Sequence, residues 1–168
     1  MTDAADGRMT VVWITGLPSA GKTLLASRLA RRLPHPVMLD SDEVRLALAM
    51  NDYGPEGREL FYRALAGLAG LLARQGHVVI VAATSPGRHQ RRLARSLAPR
   101  FIEVYVDTPA TECAERDAKG LYAASARGDV DALPGVGVPY EPPTVADVVA
   151  HGGKDDDALA AILHLVGP

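Results

Sequence analysis

The chain has 168 residues, of which 48% are hydrophobic, so it has enough material for one buried core and little for a second domain. The chain has 18 lysine and arginine residues and 20 aspartate and glutamate residues, which gives a formal net charge of -2. Such a chain lacks the positive electrostatic field that non-specific nucleic-acid binders rely on. The single cysteine, Cys113, excludes an intramolecular disulfide and a cysteine-rich zinc site. We therefore expect one domain over residues 1–168 and no nucleic-acid partner.

The N-terminus and the longest apolar runs bear on location. Residues 1–9 contain Asp3 and Asp6 and no apolar core, so they predict neither a signal peptide nor an anchor. No apolar run approaches the ~20 residues that a membrane span needs. We expect a cytoplasmic protein with no membrane contact.

The first predicted elements are a strand, a helix, a second strand and a second helix. Residues 10–15 form an apolar, β-branched run typical of a strand buried on both faces. Residues 22–33 carry leucines at helical spacing and are followed by a proline, which favours a helix that ends there. A short strand over residues 37–39 leads to Asp40, and we expect Ser41 to cap the next helix, which runs to about residue 48.

The middle of the chain continues this alternation. Residues 51–57 are rich in turn formers, and residues 59–75 then predict a long helix that stops at a glycine. The apolar run over residues 78–82 predicts a buried strand, and a basic helix over residues 88–97 follows a short polar loop.

The C-terminal part contains one irregular segment. Residues 101–106 predict a strand, and a helix is expected to begin with Pro109 in its first turn. Residues 118–143 have several glycines and prolines and no sustained helical period, so we predict a lid over a ligand site. Residues 146–150 and 155–166 then predict a last strand and helix. Strands that alternate with helices imply an α/β fold with a mostly parallel sheet flanked by helices.

The strongest motif follows the first predicted strand. Residues 16–23 (GLPSAGKT) fit the pattern G-x-x-x-x-G-K-[ST], between a strand and a helix as this phosphate-binding loop requires. Lys22 is expected to bridge the β- and γ-phosphates of ATP, and the Thr23 hydroxyl to bind Mg²⁺. The motif predicts the three-layer P-loop NTPase fold. The expected phosphate-binding residues are Gly16, Ser19, Ala20, Gly21, Lys22 and Thr23.

A second polar cluster follows the second predicted strand, at the edge where ligands of open α/β sheets bind. It contains Asp40, Ser41, Asp42 and Arg45. A carboxylate there can accept the proton of an acceptor hydroxyl or hold Mg²⁺ through water, and an arginine can bind an anionic acceptor. Helix capping is the structural alternative for Ser41 and Asp42, and the two roles can coexist. The cluster favours a phosphotransferase with a small acceptor.

Between residues 11 and 143 the chain resembles the adenylylsulfate kinases, which use ATP and Mg²⁺ to phosphorylate the ribose 3′-hydroxyl of adenosine 5′-phosphosulfate. The likeness begins with the phosphate-binding loop and continues in the same order and spacing. The further matching segments are residues 40–45 (DSDEVR), Ser85-Pro86, residues 101–109 (FIEVYVDTP), Cys113, Arg116-Asp117, residues 119–122 (KGLY) and residues 139–141 (PYE).

The resemblance implies roles for the matching residues, and it suggests a homodimer. Asp42 would be the catalytic base beside Lys22, and Arg116 would bind ATP. Ser85 matches a serine treated as phosphorylatable, although direct in-line transfer needs no covalent intermediate; capping of the following helix is the alternative. The implied acceptor-binding residues are Asp40, Arg45, Tyr53, Arg58, Phe61, Thr84, Ser85, Lys119 and Leu133.

The chain also departs from the family on the acceptor side. Phe61 stands where the family has an acceptor-binding asparagine, and Tyr53 and Leu133 replace two phenylalanines that enclose the adenine. Ala123 and Ala124 replace paired lysines. Three functions therefore stay open: an adenylylsulfate kinase, a kinase for another nucleotide-linked or natural-product hydroxyl, or an ATP-binding regulator with little catalysis. The retained Asp42 and Arg45 favour an enzyme.

Overall fold

The computed structural model describes residues 9–130 and 133–167. Residues 1–8, where we predict no targeting signal, and residues 131–132 of the predicted lid lie outside that range. The strands of the described part are β1 (Thr10–Thr15), β2 (Val37–Asp40), β3 (Val79–Ala82), β4 (Arg100–Val106) and β5 (Val148–Ala150).

These strands form one parallel sheet in the order β2-β3-β1-β4-β5. Strand β1 lies at the centre, where Trp13 is in register with Val81 of β3 and with Glu103 of β4. The chain leaves β1 toward β2 and later crosses to β4 on the other side, so the loops diverge next to β1. Such a switch point is where open α/β sheets bind ligands, outside the carboxyl ends of the strands.

Helices cover both faces of the sheet because the residues of each strand alternate in direction. Ile14 packs with the helices after β1 and β5, whereas Trp13 packs with the long helix before β3 and the helix after it. This arrangement confirms the predicted α/β fold. The helices of the described residues are α1 (Lys22–Ala30), α2 (Ser41–Ala47), α3 (Pro55–Arg74), α4 (Arg88–Leu97), α5 (Ala110–Arg116), α6 (Leu121–Ala126) and α7 (Asp156–Val166).

Two helix starts near the predicted site differ from expectation. Helix α3 begins at Pro55 rather than residue 59, because Gly54 is its N-cap and a proline suits the first helical position. Arg58 therefore lies on a helix and not in a loop. Helix α2 is capped by Asp40 rather than Ser41, since an Asp40 side-chain oxygen accepts a hydrogen bond from the backbone N–H of Asp42 at 3.0 Å.

The irregular segment over residues 118–143 contains a short helix that the sequence did not predict. Helix α6 has six residues, too few to show a helical period. Its start is stabilised from outside, because the Asp117 carboxylate accepts hydrogen bonds from the backbone N–H groups of Tyr122 and Ala123, both at 3.0 Å. In the part of the chain that the structure describes, no helix is long and apolar enough to cross a membrane.

Candidate active site

A cavity of about 590 Å³ lies where β2 and β3 end, within the usual range of small-molecule sites. The loop after β1, helix α2, the start of α3 and the segment around α6 all contribute to its wall. The expected site residues that line it are Ser19, Gly21, Lys22, Thr23, Asp40, Asp42, Arg45, Tyr53, Arg58, Thr84, Lys119 and Leu133.

The loop between β1 and α1 has backbone conformations that few residues adopt. Gly21 has a φ of 108°, and a Cβ atom there would lie 2.6 Å from the backbone nitrogen of Gly153, so glycine is required. Ser19 has a φ of 63°, and its hydroxyl is buried without a hydrogen-bond partner in the described structure. A buried hydroxyl of this kind can form a hydrogen bond with a bound ligand. The unpaired amides of the first turn of α1 favour an anion.

The side chain of Lys22 turns back onto this loop. Its Nζ atom donates hydrogen bonds to the carbonyl oxygens of Gly16 at 3.0 Å and Leu17 at 2.6 Å. Burial, assisted by the positive charge of Lys119, lowers the pKa of Lys22 to about 8. An anion beside the ammonium group would oppose both causes, so the pocket favours a negatively charged ligand at Lys22.

Thr23 and Asp40 form a pair of oxygen ligands at the opening of the loop. The Thr23 hydroxyl donates a hydrogen bond to Asp40 Oδ2 at 2.6 Å, while Oδ1 is engaged by the backbone of α2. A hydroxyl and a carboxylate suit Mg²⁺, which usually binds one or two protein oxygens together with substrate phosphates and water. The described residues contain no group of three or more His, Cys, Asp or Glu able to hold a metal.

Asp42 also lines the cavity, two residues after Asp40 in the first turn of α2. Its carboxylate forms an ion pair with Lys119, which precedes α6, and both side chains are about half exposed. The contact joins α2 to the segment around α6. Solvent screening makes such an exposed pair weak, so a charged ligand can separate it.

Arg45 lies deeper in the same wall and is only 5% exposed. Its Nη1 donates to the backbone oxygens of Met50 at 3.0 Å and Asp52 at 3.2 Å. The rings of Tyr53 and Phe61 both lie within cation–π distance of its guanidinium group. Phe61 itself is fully buried and does not line the cavity, so the expected direct contact with an acceptor is not available to it.

Ser85, to which the resemblance gives a catalytic role, is buried and does not line the cavity. The residue has no exposed surface, and its hydroxyl accepts a hydrogen bond from the Trp13 indole N–H at 3.2 Å. Its backbone N–H donates to the Tyr62 hydroxyl at 3.0 Å. The N-cap of α4 is Gly87, so Ser85 does not cap that helix either. The Ser85 hydroxyl is therefore not exposed to a ligand in the cavity in this structure.

Three other expected residues support the loop from outside the cavity. Gly16 begins the loop, and a Cβ atom there would lie 2.7 Å from the Val106 oxygen. The backbone oxygen of the buried Ala20 accepts hydrogen bonds from the Thr108 hydroxyl at 2.8 Å and from Arg116 Nη1 at 3.5 Å. Arg116 thus contacts the back of the phosphate-binding loop, and Thr108 is a supporting residue that the sequence did not identify.

Sequence reasoning also missed part of the cavity wall. Tyr62 lines the cavity one helical turn after Arg58, so the i, i+4 spacing on α3 was a usable signal. Burial raises the pKa of the Tyr62 phenol, which keeps it neutral. Asp129 and Val130 also line the cavity, and they lie in the predicted lid, where the sequence did not single them out.

Known proteins resemble this chain along most of its length. The family model described as adenylylsulphate kinase matches residues 8–151. The chain is 40% identical over 160 residues to an adenylyl-sulfate kinase of Pseudomonas aeruginosa, covering 91% of this chain and 82% of the relative. It is 43% identical over 143 residues to an adenylyl-sulfate kinase of Chloroflexus aurantiacus, covering 82% and 77%.

A solved structure of the Mycobacterium tuberculosis APS kinase CysC, in complex with AMPPNP and APS, superposes with a TM-score of 0.85. The two sequences are 32% identical, and the match covers 95% of this chain and 98% of the other. The three-layer P-loop NTPase fold predicted from the loop motif is therefore confirmed.

Proposed function

Because the chain belongs to the adenylylsulphate kinase family, we propose that it transfers the terminal phosphoryl group of ATP to the 3′-hydroxyl of adenosine 5′-phosphosulfate. The observation that carries this proposal is the arrangement of one cavity. Lys22 and the Thr23–Asp40 pair line it together with Asp42 and Arg45. A phosphoryl donor and an anionic acceptor can thus meet without a covalent intermediate.

On the nucleotide side, the phosphates would occupy the loop between Gly16 and Lys22. The Ser19 hydroxyl and the first amides of α1 lack partners that a phosphate can supply. Lys22 would exchange its bonds to the loop carbonyls for bonds to the β- and γ-phosphates. Thr23 and Asp40 would hold Mg²⁺, which neutralises the phosphate charge when it is bound. Ala20 and Arg116 keep the loop in place from behind.

On the acceptor side, the charges favour an anionic nucleotide. Arg45, Arg58 and Lys119 line the cavity, and the anionic group of the acceptor would compete with Asp42 for Lys119. Release from Lys119 would leave the Asp42 carboxylate free to accept the proton of the 3′-hydroxyl. The remaining wall, which includes Tyr53, Thr84 and Leu133, would contact the nucleoside.

Purified protein with ATP and Mg²⁺ is expected to convert adenosine 5′-phosphosulfate into its 3′-phosphorylated product, detected by chromatography. The same assay with other nucleotide-linked hydroxyls tests the alternative acceptors, because Leu133 offers no aromatic face to adenine. Faster turnover of another acceptor would show that this acceptor, and not adenosine 5′-phosphosulfate, is the preferred substrate. ATP binding without transfer to any acceptor would favour a regulator.

Of the lid predicted over residues 118–143, the described residues 118–130 and 133–138 are proposed to open and close over this cavity. The far end of the lid is held by residues 140–142: the Tyr140 hydroxyl lies 3.1 Å from Thr15 Oγ1, and Glu141 bonds to the backbone of Pro86 and Arg88. On the cavity side, Lys119 pairs with Asp42, and the Tyr122 hydroxyl donates to the Pro18 oxygen at 3.1 Å. These contacts are few and partly exposed, so a ligand can rearrange them.

Hydrogen exchange is expected to slow in residues 118–138 when nucleotide and adenosine 5′-phosphosulfate bind together, because a closed lid excludes water. The amides of Tyr140, Glu141 and strand β4 are the internal reference and should exchange equally with and without ligands. Equal exchange of the whole segment in both states would contradict a lid.

The homodimer and the cytoplasmic location stay predictions, which light scattering and cell fractionation would test.

A further inference from the structure

Two aromatic rings hold the guanidinium group of Arg45. Its Cζ atom lies 3.8 Å from the ring centroid of Phe61 and 4.6 Å from that of Tyr53, both well within the ~6 Å range of cation–π contacts. Phe61 is fully buried, whereas Tyr53 is 55% exposed. Phe61 therefore supports Arg45 from the core, and Tyr53 contacts it nearer the surface.

The hydrogen bonds of Arg45 use only part of its donor set. Nη1 donates to the backbone oxygens of Met50 and Asp52, and no hydrogen bond of the described structure engages Nε or Nη2. Arg45 nevertheless lines the cavity, so these remaining N–H groups are available for a ligand. A guanidinium group that is 5% exposed needs compensation for lost water, and two ring faces and two carbonyls supply it.

We propose that Phe61 is a positioning residue for acceptor binding, because its ring fixes the guanidinium of Arg45 with Nε and Nη2 directed at the acceptor's anionic group. The identity of that acceptor rests on the proposed function. Phe61 does not touch the cavity, so its whole effect passes through Arg45. The ring acts by preorganisation: Arg45 loses little side-chain freedom when the acceptor binds.

The kinetic test compares Phe61→Leu, which removes the ring and keeps an apolar side chain, with Phe61→Tyr, which keeps the ring. Phe61→Leu is expected to raise the KM for adenosine 5′-phosphosulfate about 2-fold to 30-fold. The KM for ATP and kcat should change little, because Lys22 and Asp42 are untouched. Phe61→Tyr should restore most of the acceptor affinity. An unchanged acceptor KM in Phe61→Leu overturns the proposal.

The chain offers a matched control in its other phenylalanine. The Phe101 ring lies 4.8 Å from Arg95 Cζ, in a cation–π contact outside the cavity. Phe101→Leu makes the same change of side chain, and it should leave the acceptor KM at the wild-type value. A rise equal to that of Phe61→Leu would show a general loss of packing and would overturn the proposal.

A double-mutant cycle separates positioning from packing. If Phe61 acts through Arg45, Phe61→Leu should have no further effect on the acceptor KM in an Arg45→Ala background. If the ring only fills the core, the two changes should multiply, and the proposal would be wrong.

Nuclear magnetic resonance gives a readout that does not depend on turnover. The ring current of Phe61 should shift the resonance of the Arg45 Nε–H proton in the wild type, and the ring of Phe61→Tyr should do the same. In Phe61→Leu this ring-current shift should disappear. An identical Arg45 signal in all three proteins overturns the positioning role. Wild-type protein that fails to phosphorylate adenosine 5′-phosphosulfate would instead contradict the proposed function, while the signal would still decide the role of Phe61.

Discussion

Replacing Lys22 by alanine is expected to lower the rate of phosphoryl transfer by about 10²-fold to 10³-fold or more. The ammonium group of Lys22 would neutralise negative charge on the phosphoryl group during transfer. In the described structure Lys22 is hydrogen-bonded to carbonyl oxygens of the phosphate-binding loop. Single-turnover kinetics with saturating ATP would measure the loss at the chemical step. Arg32→Ala, an exposed cation beyond the other end of α1, should keep the wild-type rate.

The same substitution should not weaken the fold. The pKa of Lys22 is lowered to about 8 from an ordinary value of 10.5, so the folded protein binds this proton less tightly than the unfolded chain. The charged lysine therefore opposes folding below pH 8, and this cost disappears as the pH rises from about 8 to 10.5. At pH 7, Lys22→Ala should melt no lower than the wild type. Wild-type turnover in a folded Lys22→Ala variant would contradict the assignment of the loop.

The fold and the phosphate-binding half of the site were predictable because local rules decide them. The motif from Gly16 to Thr23 specifies both the backbone conformation of the loop and its phosphate-binding groups. The continuous apolar runs of β1 and β3 indicate strands that are buried on both faces, as central strands of a parallel sheet are. The carboxyl ends of parallel strands share one edge, so Asp40 and Asp42 had to lie near that motif. Their placement in one cavity follows from topology alone.

The acceptor half was less predictable because side-chain packing decides it. Phe61 and Ser85 match family positions that imply contact with a substrate, yet both are fully buried in this chain. Phe61 is buried because this side of α3 packs against β1 and β3, and Ser85 is buried next to Trp13 of β1. A match in sequence therefore indicated many of the residues that line the cavity, while tertiary structure decides which side chains reach its surface.

The short helix α6 shows the same limit at the level of secondary structure. Its six residues have no buried side chain and no periodic pattern, and Asp117 stabilises its first turn from outside the helix. Propensity over so short a segment carries little information, because an isolated helix of this length is unstable in water. Tertiary contacts such as that between Tyr122 and Pro18 select the conformation.

Asp42→Asn is expected to lower kcat by about 10²-fold to 10⁴-fold, the usual contribution of a positioned general base, with small changes in the two KM values. An amide has nearly the shape of the carboxylate but cannot accept the hydroxyl proton. Glu43→Gln is the matched control, since it makes the same change at the exposed neighbouring position in the first turn of α2. It should keep the wild-type kcat.

Lys119→Met shows whether the ion pair with Asp42 matters for the same step. If the acceptor's anionic group takes Lys119 away from Asp42, this change should raise the acceptor KM and affect kcat much less than Asp42→Asn does. A loose transition state, in which the bond to the acceptor oxygen is little formed, would need the base less, and the kcat of Asp42→Asn distinguishes the two cases. A kcat of Asp42→Asn within about threefold of wild type, well below the range expected for a base, would therefore mean that the proton leaves without Asp42. The carboxylate would then serve only to hold Lys119 at the closed cavity.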